Sequence, residues 1–482
     1  MKRNRTPVAA AHARRAIPAL AGAVLTLFAG AAHAQGDGEA AFRELYRELV
    51  EINTTLSVGD CTAASKAMAA RLSAAGFAER DLQILGPADH PREQALIATL
   101  HGSSPKLKAL LLLAHVDVVE AKREDWQRDP FKLVEENGWF YARGASDDKA
   151  MAAIFTDAMV RFKGQGYKPK RDIKLALTCG EETSEQFNSV RWLLENKPDA
   201  LKAAFALNEG ASGELDAAGK AVALQIQAGE KVYEDFTLEA TSSGGHSSRP
   251  APGDNAIYRL AAGLSRLAAY QFPLALNDAT RGYFQAQAKL VAPEIAADMQ
   301  AVLKTPPDTN AQARLWAANP MWNSMLRTTC VATQLSGGHA PNALPQRATA
   351  NVNYRILPGV AVAEVQQTLA TVLADEHITI KLSEEPVVIG PAPPLTPQIM
   401  APVNQIAATI WPGVAIVPSM STGATDGRFL NAAGIPTYGL SGLFHDAEGS
   451  HMHGLDERIR VKSLLDGRRF LYEVVKRYGD QK

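Results

Sequence analysis

Cysteine is scarce in this chain: Cys61, Cys179 and Cys330 are the whole complement among 482 residues. So sparse and odd a set excludes a disulfide framework, and nothing in the sequence pairs any two of them. Cys179 closes an apolar run and reads as a small core residue, so all three are expected to be structural. A charge of one sign is lacking too. Lys+Arg 50 against Asp+Glu 51 gives a formal net charge of -1, which removes the electrostatic case for a nucleic-acid partner. Long apolar runs are missing as well. The best, 16–30, is short for a membrane span and contains Pro18, so no stable span is expected. There is no repeat and no low-complexity tract. The remainder, 46% hydrophobic and 21% charged, is an ordinary globular balance with length for two or three domains.

Residues 1–34 are expected to be an export signal. Lys2, Arg3, Arg5, Arg14 and Arg15 form a basic start, an apolar stretch follows, and Ala32-His33-Ala34 fits a small-x-small cleavage site before Gln35. That reading places the mature protein in the periplasm or outside the cell. Arg14-Arg15 allows twin-arginine export, although its flanks match that signal poorly. No cysteine follows the cleavage point, so no lipid anchor is expected there.

Past the leader, helical periodicity covers 41–52 and 63–75, and strand patterns cover 81–85 and 97–100. Leu111-Leu112-Leu113-Ala114 then reads as a strand buried on both faces. Further apolar strands at 173–179 and 203–207 alternate with helices, the signature of an α/β domain on a largely parallel sheet. Near Val232 the pattern changes to half-buried strands around 236–240, 348–354 and 378–382, with helices at 255–267 and 361–373. This predicts an inserted α+β, ferredoxin-like domain. The expected organisation is therefore a catalytic domain in two parts, 35–231 and 391–482, interrupted by an inserted lid over 232–390. Within the lid, 272–322 reads as a helical insertion.

Polar residues gather just past the strand ends, where ligands bind in parallel sheets. They are His115, Asp147, Glu181, Glu182, Glu209 and, near the C-terminus, His453. Each alone has a plain alternative. His115 suits a structural role, Asp147 a helix cap, Glu181-Glu182 a solvated pair and Glu209 an exposed loop. Their joint placement is what those alternatives explain poorly. Two imidazoles and three carboxylates suit a pair of divalent ions, most naturally zinc. Asp147, Glu182 and Glu209 supply -3 against +4, and a hydroxide between the ions closes the balance. Glu181 is then left over, placed to act as general base. Asp117 shares a strand face with His115 and would receive the imidazole's other N–H.

The pieces His115-Val116-Asp117, Gly144 to Lys149, Cys179-Gly180-Glu181-Glu182, Asn208-Glu209-Gly210 and His453 to Glu457 come in one order across most of the chain. Together they resemble the co-catalytic dinuclear zinc peptidases, which include carboxypeptidase G, succinyl-diaminopimelate desuccinylase, aminoacylase and carnosinase. The insertion is most similar to the carboxypeptidase S-like branch. The resemblance implies that Asp147 bridges two zinc ions (cobalt or manganese in their place), with His115 and Glu209 on one and Glu182 and His453 on the other. His451 competes with His453, and the H-x-x-D-E spacing selects the latter. It further implies that Ser243 to Pro250 is a lid motif whose His246 stabilises an oxyanion, in dimeric members at a neighbouring active site. An exposed turn residue is the alternative for His246. Asn342 and Arg355 would face substrate, Arg355 pairing with a carboxylate or else with an acid on an edge strand, and Gly423 and Thr425 would line the leaving-group side. The expected activity is cleavage of an amide bond in dipeptides, short peptides at the C-terminus or N-acyl amino acids. A zinc aminopeptidase acting on free N-termini is the alternative. Some members of the family pair through the lid and others are monomers, so a homodimer is an expectation from likeness alone.

Overall fold

A computed structural model describes residues 29–183, 186–383 and 388–482. Most of the expected leader therefore lies outside the described residues. The chain divides into two units, 1–44 and 45–482, and the described part of the first is helical backbone from Ala29 onward. Helix α1, Ala29–Glu51, begins well before the apolar periodicity at 41. A hydrogen-bonded helix needs no apolar face, and that face is all the periodicity detects. Among the described residues no helix is long and apolar enough to cross a membrane.

In chain order the larger unit runs through helix α2 (Cys61–Ala74) and strands β1 (Leu82–Leu85), β2 (Ala95–Leu100) and β3 (Leu110–His115). Helix α3 (Lys149–Gly164), β4 (Ile173–Thr178), α4 (Ser189–Asn196), β5 (Phe205–Asn208) and β6 (Ala221–Glu230) follow. The inserted part contains β7 (Val232–Thr241), α5 (Ala256–Ala269), α6 (Asp278–Gln287), α7 (Pro293–Val302), α8 (Thr309–Ala318) and α9 (Pro320–Leu326). It closes with β8 (Thr329–Gly337), β9 (Arg347–Ile356), α10 (Val362–Leu373) and β10 (Ile378–Leu382). Helix α11 (Pro397–Ile410), β11 (Ala415–Ser421), β12 (Thr437–Gly439) and α12 (Val461–Gly479) complete the chain.

The larger sheet has ten strands, and its centre, β4-β3-β5-β12, is parallel, with antiparallel β1 and β2 outside β4. Every residue of β3 is buried, as a strand covered on both faces requires. The fold is thus a mixed α/β domain organised on a parallel core. One residue separates the two sheets: β6 ends at Glu230 in the large sheet and β7 starts at Val232 in the small one.

The small sheet runs β8-β9-β7-β10, all antiparallel. Phe236, Leu238 and Ala240 pack with Val352 and Tyr354 beneath α5 and α10. Strand β8 escaped the sequence reading because it lies at the sheet edge and is largely exposed, so no alternation marks it. Helices α6–α9 interrupt the lid in sequence but not in space. Tyr283, Phe284, Leu315, Trp322 and Met325 pack on Ala223 of β6 and Val417 of β11, which belong to the large sheet.

Candidate metal centre

Register explains why the polar residues meet. In the parallel ladder His115 lies opposite Thr178, and Leu112 lies opposite Leu207. The exits of β3 and β4 are therefore level, β5 ends two residues earlier beside them, and the residues just beyond, Asp117, Glu181-Glu182 and Glu209, leave the sheet on one edge. Asp147 arrives on the loop before α3, and His453 on the loop between β12 and α12.

Asp147 sits in the middle. Its Oδ1 is 3.2 Å from His115 Nε2, and its Oδ2 is 3.2 Å from His453 Nε2. His115 Nε2 also lies 3.7 Å from Glu209 Oε1, while His453 Nε2 lies 3.0 Å from Glu182 Oε1. One carboxylate thus presents one oxygen to each imidazole, and each imidazole has a second carboxylate of its own. His451 is exposed, and it is the His453 ring that reaches the acids. The two groups differ in exposure: the His115 side chain is 2% exposed and that of His453 is 56% exposed.

His115 Nδ1 lies 3.0 Å from the Asp117 main-chain carbonyl and 3.6 Å from its carboxylate. A carbonyl can only accept, so Nδ1 carries a proton, and Nε2 is the ring atom turned to Asp147. The sequence reading gave that orienting role to the Asp117 carboxylate. In the structure its Oδ2 instead accepts the Glu182 main-chain N–H at 3.0 Å, tying the β3 and β4 exits together.

The electrostatics describe a site short of positive charge. Hydrogen bonds to Asp147 and then Glu182 push the His453 imidazole up to about 10. Burial opposes protonation of His115, but Glu209, Asp117 and Asp147 together raise it well above the usual imidazole range. Burial, with nearby Glu181 and Asp147, holds the Glu209 carboxyl well above its ordinary range although His115 opposes this. Glu181 is pushed up to about 9, by burial first and against the pull of His115, with Asp426, Glu182 and Asp117 adding to it. Asp147 moves the other way, its hydrogen bonds to both imidazoles outweighing burial. Proton affinity is raised at the places where the donor set calls for cations.

The donors fit such cations. A tetrahedral ion with bonds of about 2.0–2.1 Å needs ligand atoms about 3.3 Å apart. The observed contacts of 3.0 to 3.7 Å bracket that spacing. Those contacts belong to two triads, His115–Asp147–Glu209 and Asp147–Glu182–His453, each with its ligand atoms within 4.8 Å of one another. Glu181 joins neither of these triads, though its carboxylate stays within the same distance of His115 and Glu182.

The loops that deliver these groups are held by residues the sequence reading left without a role. Buried Glu457 accepts the main-chain N–H groups of Gly144, Ser146 and Asp147 and pairs with Arg143 at 2.7 Å. Asn188 donates to the Gly180 carbonyl and to buried Asp426. Gly180 has φ +94, and a Cβ there would fall 2.0 Å from the Phe187 carbonyl oxygen, so only glycine permits this turn. The cysteine expectation is overturned at the same place. Cys61 and Cys179 form a disulfide across 118 residues of sequence, leaving half-buried Cys330 as the free thiol. Pairing of this kind is set by where α2 begins relative to the β4 exit, which spacing does not encode.

The model for the peptidase family M20/M25/M40 matches residues 111–477. The chain belongs to this family. It is accordingly a hydrolytic enzyme of a metal-dependent kind. It is 29% identical over 389 residues to the mouse (Mus musculus) N-fatty-acyl-amino acid synthase/hydrolase PM20D1, covering 78% of this chain and 75% of that one. It is 24% identical over 431 residues to aminoacylase-1 of Pongo abelii, covering 88% and 91%. Among solved structures, an M20 family metallo-carboxypeptidase, Sso-CP2 from Sulfolobus solfataricus, shares the fold with a TM-score of 0.65 at 19% identity, covering 91% of this chain and 99% of the other.

The remaining positions expected to act in this M20 chain are distributed unevenly. His246 is exposed on a two-residue strand of the lid, its Nδ1 2.8 Å from Ser248 Oγ. Asn342 is exposed on the facing turn, where its carbonyl accepts the Ser247 N–H. Arg355, on β9, stacks over the Tyr233 ring at 4.8 Å and is half-buried. Burial lowers its guanidinium, and Arg428 beside it adds to that. Gly423 is exposed, its N–H held by Ser421 Oγ. Thr425 departs from its expected place at the substrate. Its hydroxyl is buried and accepts from Asn208 and from the Gly427 N–H, so it holds the loop.

Proposed function

We propose that this chain is a dinuclear metallohydrolase that cleaves an amide bond next to a free carboxylate. The observation that carries the reading is the Asp147 carboxylate, which offers one oxygen to His115 and the other to His453. His115 and Glu209 would complete one metal position, and Glu182 and His453 the other. Zinc is the first candidate, with cobalt or manganese suited to the same donors. A pair of divalent ions supplies Lewis acidity there, polarising the scissile carbonyl and acidifying the attacking water. Glu181 takes the proton from that water and returns it to the departing nitrogen, a role its place beside His115 and Glu182 suits. His246, carried on the lid, would donate to the oxyanion of the tetrahedral intermediate.

Arg355 is the proposed carboxylate anchor. Its guanidinium lies near Lys231 and Arg428 on one side and Asp235 on the other, and its planar fork suits a carboxylate. Dipeptides, short peptides at the C-terminus and N-acyl amino acids all carry that carboxylate. The relatives named above favour the acyl amino acids. Export to the periplasm or medium is proposed from the N-terminal sequence, and pairing of two copies through the lid from the family likeness.

The test is digestion of a mixed library of dipeptides, N-acyl amino acids and amino-acid amides by zinc-loaded protein, read by mass spectrometry. Cleavage confined to members with a free C-terminal carboxylate is expected. Cleavage of the amides would remove Arg355 as anchor and put an aminopeptidase in place of this reading.

A further inference from the structure

The segment 53–61 runs across both strand exits that carry the buried ligands. Thr54 Oγ1 donates to the Val116 carbonyl at 2.6 Å, and the Val118 N–H returns to the Thr54 carbonyl at 3.3 Å, fastening the segment to the β3 exit. At its other end Cys61 is bonded to Cys179, fastening it to the β4 exit one residue before Gly180-Glu181-Glu182. Both sulfurs lie within 4.8 Å of the Asp117 carboxylate, the same group that accepts the Glu182 N–H. The disulfide therefore closes a ring through Asp117, the strap and the loop that bears Glu182.

The two proposed metal positions do not depend on this ring equally. His115 is fixed by its own strand, and Glu209 leaves β5 outside the ring. Glu182 rides on the tethered loop, and its partner His453 has a side chain 56% exposed on a surface loop. Loss of the tether thus falls on the Glu182–His453 position.

Resting on the dinuclear reading above, we propose that the Cys61–Cys179 disulfide is a positioning element for the Glu182–His453 metal site. At a buffered zinc level between the two affinities, the oxidised protein then holds two metal ions and the reduced protein holds one, at His115–Asp147–Glu209. The chemistry balances with a dithiol as reductant. Its thiolate attacks one sulfur, the mixed disulfide resolves as the dithiol closes on itself, and two electrons and two protons end on Cys61 and Cys179 as thiols. Losing an outer support of a ligand weakens metal affinity by about 10–100-fold.

The experiment uses the full chain with Cys330→Ala, so that thiol counts report only the pair. Zinc per chain is measured by plasma mass spectrometry after dialysis against buffered zinc, for the oxidised protein, for protein reduced with dithiothreitol and desalted, and for Cys61→Ala/Cys179→Ala. Thiol titration and thermal melting run in parallel. Two equivalents when oxidised, falling to one in both tetherless forms with a cooperative melt retained, is the expected result. Two equivalents in all forms would overturn the proposal. So would loss of both equivalents, or of the cooperative melt, since the disulfide would then be a general staple. Fewer than two equivalents in the oxidised protein would instead sink the dinuclear reading itself.

Discussion

At the scale of single residues, Glu181 and Glu182 are neighbours in sequence with different surroundings. Glu182 Oε1 lies 3.0 Å from His453 Nε2, whereas Glu181 stands outside the two triads centred on Asp147. Glu181→Ala should cut turnover by about 10²–10⁴-fold while zinc content stays at the wild-type value. A loss of zinc in that variant would make Glu181 a ligand instead. The imidazoles give a prediction for metal-stripped protein. His453 is raised from its ordinary 6.5 to about 10 by Asp147 and Glu182, so its contribution to stability is complete below about pH 6.5 and is lost as pH rises through about 10. Melting temperature of the stripped protein should fall across that interval, and His453→Ala should flatten the fall. Scans that are parallel for the two proteins would contradict it.

Among the elements, the loop before α3 is held by a charge that arrives from more than three hundred residues away. Glu457 accepts three main-chain N–H groups and pairs with Arg143, both side chains nearly inaccessible at 1% and 3%. Glu457→Ala leaves Arg143 buried without its counter-charge, which costs about 3–5 kcal/mol. It also frees the Asp147 main chain, so zinc affinity should fall with stability. Glu457→Gln keeps an acceptor of the same shape and should do less damage. Urea unfolding together with zinc titration measures both. Unchanged zinc affinity in Glu457→Ala would show that Asp147 is held by other means.

For the whole molecule, the outward passage from the large sheet to the small one is a single buried residue. Lys231 lies between β6 and β7, and the three N–H groups of its ammonium are shared among four acceptors, the Ser324 carbonyl and hydroxyl, the Arg327 carbonyl and Thr329 Oγ1. These partners stand where α9 hands over to β8, so one ammonium joins the helical insertion, the lid and the large sheet. Burial lowers its pKa to about 7, yet four acceptors hold it in place. Lys231→Met should destabilise by about 1–3 kcal/mol for each buried acceptor left unpaired, seen as a lower urea midpoint. If the lid carries Arg355 to the substrate, the same variant should raise KM more than it lowers kcat. A neutral effect on both would mean that this joint does not set the lid's position.

The sequence by itself determined the strands and the chemistry at their ends. A short all-apolar run such as Leu111–Leu113, bounded by turn residues upstream, suits a strand covered on both faces, and the polar residues that follow such a strand emerge at the sheet edge. That local logic made His115, Glu181, Glu182 and Glu209 legible, and likeness to a family ordered Asp147 and His453 among them. Tertiary structure alone decided what depends on partners far apart in the chain. It joined Cys61 to Cys179, assigned the His115 N–H to a carbonyl and not a carboxylate, turned the Thr425 hydroxyl inward, and set α6–α9 against the large sheet although the lid surrounds them in sequence. The physical reason is the same in each case. Periodicity reports which face of an element is buried, whereas the identity of the group it is buried against is fixed only when distant segments pack together.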